Sequence, residues 1–279
     1  MGIGMALNLL RAGHELHFHA RPETETVKEA LAAGARQAPS LAELARSTDV
    51  IVLCLTDTPA VHQVLEALAP HLPAAGLVID TTTNDTEGPK AFADLLGRHD
   101  ARYVEAPVTG GVLQAREGVL GAIVGADTDD AFKAAEPILG AFAKKAVHIG
   151  AVGTAARAKL ISNFLALGTA TLVIEVFKQA RALGIEWEPL YELAQLGSGN
   201  SAGLHRIIGN AVDGNYKGYV FSVENCLKDL GYLCELGEQT GTASPLHPVL
   251  RQIHADAVKA GSGDRMISEL LDPAGAPER

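Results

Sequence analysis

Aromatic residues are scarce in this chain, and cysteine is scarcer still. Only 5% of the 279 residues are Phe, Trp or Tyr, and the three cysteines are Cys54, Cys226 and Cys234. An odd number of cysteines without metal-ligand spacing argues against both a disulfide scaffold and a metal site. We therefore predict reduced core thiols in a cytoplasmic protein and expect no bound metal.

Basic residues are also in deficit. Lys and Arg number 23 against 33 Asp and Glu, which gives a net charge of -10 at pH 7. This excess of negative charge disfavours nucleic acid and anionic membranes, so we expect neither as a partner. The sequence shows no basic leader of the secretory type and no uncharged apolar run of about 18 residues, the length that spans a bilayer. A hydrophobic content of 47% predicts a soluble globular protein with two domains.

A complete G-x-G-x-x-G motif is missing as well. In a dinucleotide-binding fold this motif follows the first strand and places the pyrophosphate at a helix N-terminus. Here no strand precedes Gly2 and Gly4, and Leu7 stands where the last glycine would be. We interpret Gly2 as the third glycine of such a motif, and we expect the dinucleotide-binding domain to lack its first strand.

The first half of the chain does contain a regular alternation of strands and helices. Helices are predicted over residues 1–12, ended by Gly13, and 128–139. Apolar runs of strand length occupy residues 16–19, 50–55, 77–80, 102–105 and 119–124. Apolar strands that alternate with helices are typical of a parallel sheet covered on both faces. The predicted class is α/β, a doubly wound Rossmann-type sheet.

The second half contains helical patterns only. They occupy residues 155–183, 189–196, 202–212, 223–239 and 248–259. We therefore place a domain boundary near Gly150. Residues 1–150 form the N-terminally incomplete dinucleotide-binding domain, and residues 151–279 form an all-α domain for substrate binding and dimerisation.

A lysine stands near the start of the longest apolar helix. Gly153 interrupts the chain, Thr154 offers a hydroxyl that caps the helix, and Lys159 and Asn163 follow one turn apart. Residues 160–174 carry no charge, which predicts a helix buried on most sides. Lys159 is then either a lysine that extends to solvent or a partly desolvated amine whose lowered pKa suits proton transfer.

Small and hydroxyl-bearing residues follow the predicted strands. Ligands bind at the carboxyl ends of the strands in a doubly wound sheet. The segments at those ends contain Arg21, Leu55 and Thr56, the run Thr81-Thr82-Thr83, and the run Ala106-Pro107-Val108-Thr109-Gly110-Gly111. Such residues allow a planar or phosphorylated ligand to approach the backbone, although they also close ordinary turns.

Four stretches together resemble the β-hydroxyacid dehydrogenase family, which includes 3-hydroxyisobutyrate dehydrogenases and tartronate semialdehyde reductases. They are MGIGMALNLL at residues 1–10, EAPVTGG at 105–111, the segment 153–163 with Lys159 and Asn163, and LKDL at 227–230. The family usually has D-A-P-V-S-G-G in the second stretch, so Glu105 and Thr109 are conservative departures. The resemblance implies a helical C-terminal domain like that of 6-phosphogluconate dehydrogenases.

The resemblance also implies an NAD(P)-dependent oxidoreductase that interconverts a small 3-hydroxy acid and its semialdehyde or oxo acid. Lys159 would be the general acid and base, and Asn163 would orient the substrate. Thr109, Gly110 and Gly111 would hold the substrate carboxylate, while Lys228 would close over nicotinamide and substrate. The cofactor contacts would be Gly2, Arg21, Leu55, Thr56, Thr83 and Lys228. Without the resemblance, Lys228 and Asp229 would be interpreted as a solvated pair on a helix surface.

Arg21 stands where an acidic residue would bind the ribose of NAD. An arginine there stacks on adenine or pairs with a 2′-phosphate, so we predict NADP(H) over NAD(H). The long apolar helix predicts at least a dimer, either a homodimer or a homotetramer. Two alternatives are left open: a non-catalytic cofactor-binding or assembly protein of the same fold, and an imine reductase. Imine reductases generally lack the lysine.

Overall fold

The computed structural model describes residues 1–20 and 24–275, which form two compact units. The first unit is Met1–Lys159 and the second is Leu160–Arg279. The division falls inside one long helix, Thr154–Ala182 (α8), whose first turns therefore belong with the first unit. Lys159 is the last residue of that unit, nine residues beyond the boundary that we placed near Gly150.

The first unit is built on two sheets. Its strands are His17–Phe18 (β1), Arg36–Gln37 (β2), Val50–Leu53 (β3), Leu77–Asp80 (β4), Arg102–Glu105 (β5), Val108–Thr109 (β6), Leu120–Gly125 (β7) and Ala143–Gly150 (β8). β1 and β2 form a parallel pair of their own. The larger sheet has the order β3-β4-β5-β7, and β7 also pairs with β6 and β8. β3, β4 and β5 run parallel, so their carboxyl ends share one edge.

Helices cover both faces of the larger sheet. The helices of this unit are Gly2–Arg11 (α1), Glu25–Ala32 (α2), Leu41–Arg46 (α3), Thr58–Leu68 (α4), Gly88–Gly97 (α5), Val112–Glu117 (α6) and Asp129–Gly140 (α7). Leu77 and Ile79 of β4 pack in one core with residues of α1 and α7. Val78, between them, packs in a second core with residues of α4 and α5. Alternate side chains of a strand point to opposite faces, so this arrangement confirms the doubly wound class.

The sheet differs from the predicted parallel one in two respects. β7 runs antiparallel to β5 and to β6, so the sheet is mixed. The second difference is β8, which was not predicted because it is half exposed and its Lys144 and Lys145 conceal the apolar pattern of a strand.

The short helix between β6 and β7, α6, packs on α1 through the hydrogen bond from Asn8 Nδ2 to the carbonyl of Ala115 (2.8 Å).

The second unit contains helices around one core. After α8 come Trp187–Leu196 (α9), Ala202–Ala211 (α10), Val223–Thr240 (α11) and Leu246–Lys259 (α12). All five predicted helices are confirmed, with ends that differ by at most two residues. Leu160, Ile174 and Phe177 of α8 pack with Ile207 of α10 and Leu230 of α11 in a buried cluster.

One stripe of α8 is left exposed by the part of the chain that the structure describes. Ile161, Leu165, Leu172 and Val176 are 54%, 75%, 65% and 43% exposed, so the prediction of a helix buried on most sides was wrong for this face. By length and composition α8 is the one helix in the described part of the chain that could cross a membrane. A core helix of a water-soluble protein meets the same criterion.

Candidate functional site

The first helix begins at the carboxyl-terminal edge of the sheet. A Cβ added to Gly2 would lie 3.7 Å from Cβ and 3.8 Å from Sγ of Cys54, which follows β3. The side chain of the N-cap residue, Met1, makes no capping bond to α1. The N-terminus of a helix attracts phosphate through its N–H groups and its dipole. The first unit thus presents a helix N-terminus, beginning at Gly2, next to the end of β3.

The segments after β3 and β4 are joined to each other. The amide of Leu55 donates to Thr82 Oγ1 (3.1 Å), and the amide of Thr82 donates to Asp80 Oδ1 (2.9 Å). Thr56 is exposed and Thr83 is half-buried at the same edge. The predicted cofactor residues Gly2, Leu55, Thr56 and Thr83 therefore follow the ends of adjacent parallel strands or begin the helix that meets them.

Asp80 is the buried centre of this connection. Its Oδ2 accepts hydrogen bonds from Asn84 Nδ2 (2.7 Å) and from the hydroxyl of Tyr103 (3.0 Å). Burial raises the pKa of Asp80, while hydrogen bonds from Thr82, Asn84 and Tyr103 act in the opposite direction. Burial and the neighbouring Asp80 also raise the pKa of Tyr103 well above its ordinary value.

The predicted substrate loop is a tight turn between β6 and α6. Gly110 has a φ of +112°, a left-handed conformation that favours glycine. A Cβ there would also lie 2.9 Å from Cδ2 of Leu120. The amide of Gly111 donates to Oε1 of Gln114 (2.9 Å), so this N–H is already engaged. Gly110 is exposed, and Thr109 and Gly111 are half-buried, so all three residues of the loop are partly accessible.

Lys159 lies on α8 and is only 9% exposed. This burial supports the second interpretation of the sequence, a desolvated amine, over a lysine that extends into solvent. Asn163 is one turn further along the same helix and is also 9% exposed. Two polar side chains that are four residues apart leave the same side of a helix.

Within the second unit, Asp229 connects two of the predicted site residues. Asn163 Nδ2 donates to Asp229 Oδ2 (2.6 Å), and Lys228 Nζ lies 2.8 Å from Asp229 Oδ1. The side chain of Asp229 is 3% exposed and that of Lys228 is 19% exposed. Lys228 also lies over the ring of Tyr232, with Nζ 5.1 Å from its centroid. The interpretation of Lys228 and Asp229 as a solvated surface pair is therefore wrong.

Sequence reasoning missed two buried acids that bind segments carrying predicted site residues: Asp229 in the second unit and Glu105 in the first. Asp229 was named only as the neighbour of Lys228, although an acid flanked by Cys226 and Leu230 on an apolar helix face signals a buried partner. Glu105, at the end of β5, accepts hydrogen bonds from the amides of Gly153, Ala155 and Ala156. We had expected Thr154 to cap α8, and no local signal pointed to an acid so far away in sequence.

Three further predictions concern Arg21, the cysteines and metal binding. Arg21 lies outside the described residues. Cys54, Cys226 and Cys234 form no disulfide with one another. Among residues 1–20 and 24–275, no group of three His, Cys, Asp or Glu side chains could hold a metal ion.

Both units match models of known protein families. Residues 1–150 match the NAD binding domain of 6-phosphogluconate dehydrogenase. Residues 153–274 match the family described as NAD-binding of NADP-dependent 3-hydroxyisobutyrate dehydrogenase.

Individual proteins match along almost the whole chain. The mitochondrial 3-hydroxyisobutyrate dehydrogenase of Homo sapiens is 30% identical over 281 residues, which cover 97% of this chain and 83% of that protein. The L-threonate dehydrogenase of Escherichia coli is 28% identical over 280 residues, covering 97% and 90%. The structure of Mycobacterium tuberculosis 3-hydroxyisobutyrate dehydrogenase with L-serine superimposes with a TM-score of 0.85 at 26% identity, covering 99% and 96%.

Proposed function

Because the chain belongs to the β-hydroxyacid dehydrogenase family, we propose that it oxidises a small 3-hydroxy acid, or reduces the corresponding semialdehyde or oxo acid, with Lys159 as general acid and base. The chain is an NAD(P)-dependent oxidoreductase, as its family and relatives are. The burial of Lys159, one helical turn before the equally buried Asn163, is the observation that supports this role for the lysine.

Each proposed residue has a defined task in the reaction. The cofactor supplies or accepts the hydride when it is bound. During reduction, negative charge develops on the carbonyl oxygen, and the ammonium group of Lys159 stabilises this charge and donates a proton to the oxygen. During oxidation, Lys159 in its neutral form removes the hydroxyl proton. Asn163 orients the substrate, and Asp229 holds both Asn163 and Lys228 in position.

The proposed binding groups fall into one set for the substrate and one set for the cofactor. The Thr109 hydroxyl and the backbone at Gly110 and Gly111 would receive the substrate carboxylate, with the amide of Gly111 first released by Gln114. Gly2, Leu55, Thr56 and Thr83 would contact the cofactor, since they lie at the edge formed by α1, β3 and β4. Lys228 would close over nicotinamide and substrate.

Replacement of Lys159 tests the assignment directly. We expect Lys159→Ala to lower kcat by at least about 10²-fold, because a positioned acid or base contributes about 10² to 10⁴ in rate. The assay would use 3-hydroxyisobutyrate and L-threonate with NADP⁺ and NAD⁺. Lys178→Ala is the matched control, since Lys178 is on the same helix and pairs with Glu175 at the half-exposed surface. Turnover that survives in Lys159→Ala would contradict the proposal.

We further propose a preference for NADP(H) that depends on Arg21. The argument rests on the sequence: an arginine stands just after the predicted strand over residues 16–19, and no acid accompanies it. The test compares kcat/KM for NADPH and NADH in the wild type and in Arg21→Ala. A wild-type preference for NADH would contradict it.

The exposed stripe of α8 supports a proposed homo-oligomer, and the scarce, unpaired cysteines support the proposed cytoplasmic location. Four large apolar side chains, Ile161, Leu165, Leu172 and Val176, face away from the core of their own unit. A second copy that packs on this stripe would remove them from water. Leu165→Glu combined with Leu172→Glu should yield a monomer in sedimentation equilibrium, whereas a wild type that is already monomeric would refute the oligomer.

The two alternative functions have less support. A non-catalytic protein has no reason to retain Lys159, Asn163 and Thr109-Gly110-Gly111 together. An imine reductase would be expected to lack the lysine. Inactivity on every hydroxy acid, combined with tight NADPH binding, would favour the first alternative over the dehydrogenase.

A further inference from the structure

Glu105 is a buried carboxylate whose hydrogen-bond donors come from a distant part of the chain. It is 1% exposed. Its Oε1 accepts from the amides of Gly153 (2.6 Å) and Ala155 (2.8 Å), and its Oε2 accepts from the amide of Ala156 (3.1 Å). The first N–H groups of a helix have no partner within the helix, and the helix dipole favours a negative charge beside them. Glu105 is therefore the N-terminal cap of α8.

The position of this carboxylate depends on the glycine opposite it. Gly125 of β7 is the partner of Glu105 in the antiparallel ladder. A Cβ at Gly125 would lie 2.8 Å from Cγ and 2.9 Å from Cδ of Glu105, closer than unbonded carbon atoms approach each other. Only glycine leaves the Glu105 side chain room to reach α8.

The cap is coupled to Lys159 through the backbone of α8. In an α-helix the N–H of each residue donates to the carbonyl four positions earlier, so Lys159 is bonded to Ala155. The amide of Ala155 is in turn bonded to Glu105. In the other direction the chain runs from Glu105 to Thr109, four residues later, where the substrate loop begins. All of these residues belong to the first unit.

We propose that Glu105 is a positioning residue that fixes Lys159 relative to the Thr109-Gly110-Gly111 loop. This inference rests on the proposed function, since it requires Lys159 to transfer the proton. A misplacement of about 1 Å at a reacting group can cost about 10²-fold in rate. Loosening the start of α8 therefore impairs the proton-transfer step before it impairs cofactor binding, because the amides that donate to the Glu105 carboxylate lie at the start of α8 and not in the cofactor segments.

The main experiment is the kinetics of Glu105→Gln. The amide has the length of the native side chain but lacks its charge, and it turns one acceptor atom into a donor that faces backbone N–H groups. We expect kcat to fall by about 10- to 100-fold, while the Kd for NADPH, from fluorescence titration, stays within about twofold of wild type. We also expect a larger solvent isotope effect on kcat than in wild type, because proton transfer becomes the slower step. A purely structural role would not change that isotope effect.

Two further variants serve as confirmation and control. Gly125→Ala leaves Glu105 intact but displaces its carboxylate, so it should reproduce both the loss of kcat and the larger isotope effect. Asp127→Asn is the control, because Asp127 Oδ1 accepts from the amide of Val152 (3.0 Å) just before α8 but at an exposed position. Its kcat should remain within about twofold of wild type.

The outcomes separate this inference from the proposed function. Turnover that survives in Lys159→Ala would remove the proposed function and this inference with it. If Lys159→Ala is inactive while Glu105→Gln keeps wild-type kcat and isotope effect, Glu105 does not position Lys159. If Glu105→Gln does not fold, Gly125→Ala takes its place and is judged by the same criteria. If neither variant folds, Glu105→Asp, whose side chain is shorter by one methylene, is measured instead.

Discussion

Asp80 and Glu105 are two buried carboxylates at the same level of neighbouring strands, yet they organise different parts of the molecule. They are partners in the parallel ladder between β4 and β5, and burial raises the pKa of both. Asp80 accepts from the amide of Thr82 and the side chains of Asn84 and Tyr103, all within 23 residues. Glu105 accepts, among the described residues, from backbone amides that are 48 to 51 residues away.

The two carboxylates therefore connect different segments at one edge of the sheet. Asp80 holds Thr82, which binds the amide of Leu55, so its influence stays among the proposed cofactor segments. Glu105 connects the strand before the substrate loop with the helix that carries Lys159. Changes at Asp80 should therefore affect stability and cofactor affinity, whereas changes at Glu105 should affect kcat.

The largest expected effect is the loss of stability in Asp80→Ala. The substitution leaves three buried donors without an acceptor, and unsatisfied buried donors cost about 1 to 3 kcal/mol each. Because removing a buried charge offsets part of this cost, we expect the free energy of unfolding to fall by about 3 kcal/mol in urea denaturation. The KM for NADPH should also rise. If the KM for NADPH is unchanged in a folded Asp80→Ala protein, Asp80 does not support the cofactor segments as proposed.

The pH dependence of stability gives an intermediate effect for both carboxylates. A raised pKa means that the folded protein binds the proton more tightly than the unfolded chain does, so stability falls as pH rises from the ordinary pKa, 3.8 for Asp80 and 4.5 for Glu105, through the raised value. Asp80→Asn and Glu105→Gln each remove one such titration. Relative to wild type, each variant should therefore gain stability as the pH rises above the ordinary pKa of the group it replaces, by about 1.4 kcal/mol for every unit of pKa shift. Parallel curves for wild type and variants would contradict this.

The smallest effect is expected for Tyr103→Phe. It removes one of the donors to Asp80 Oδ2 and leaves Asn84 in place, so unfolding should become easier by about 1 kcal/mol with no change in kcat. Tyr191→Phe is the control, because the Tyr191 hydroxyl bonds to His205 at an exposed position and its loss should be nearly neutral. A kcat loss in Tyr103→Phe as large as that expected for Glu105→Gln would show that the two carboxylates act as one network.

Much of the architecture was accessible from the sequence. β4 and β5 were predicted with their observed bounds because their runs are apolar and of strand length. The helices of the second unit were predicted because helical periodicity is a local signal. The antiparallel placement of β7 and the half-exposed β8 were not predicted, since strand direction and edge position are set by what packs around the strand.

In the candidate site, too, the sequence predicted local features but not contacts between distant residues. Lys159 and Asn163 could be named from the sequence, because their spacing on one helix follows from the helical repeat alone. The sequence by itself also determined the alternation of strands and helices and the residue types at the strand ends. Only the tertiary structure decided that Lys159 is buried, that Asp229 holds Asn163 and Lys228, and that Glu105 caps α8. These facts depend on contacts between residues far apart in the chain, and no local propensity or periodicity records which distant groups meet once the core has packed.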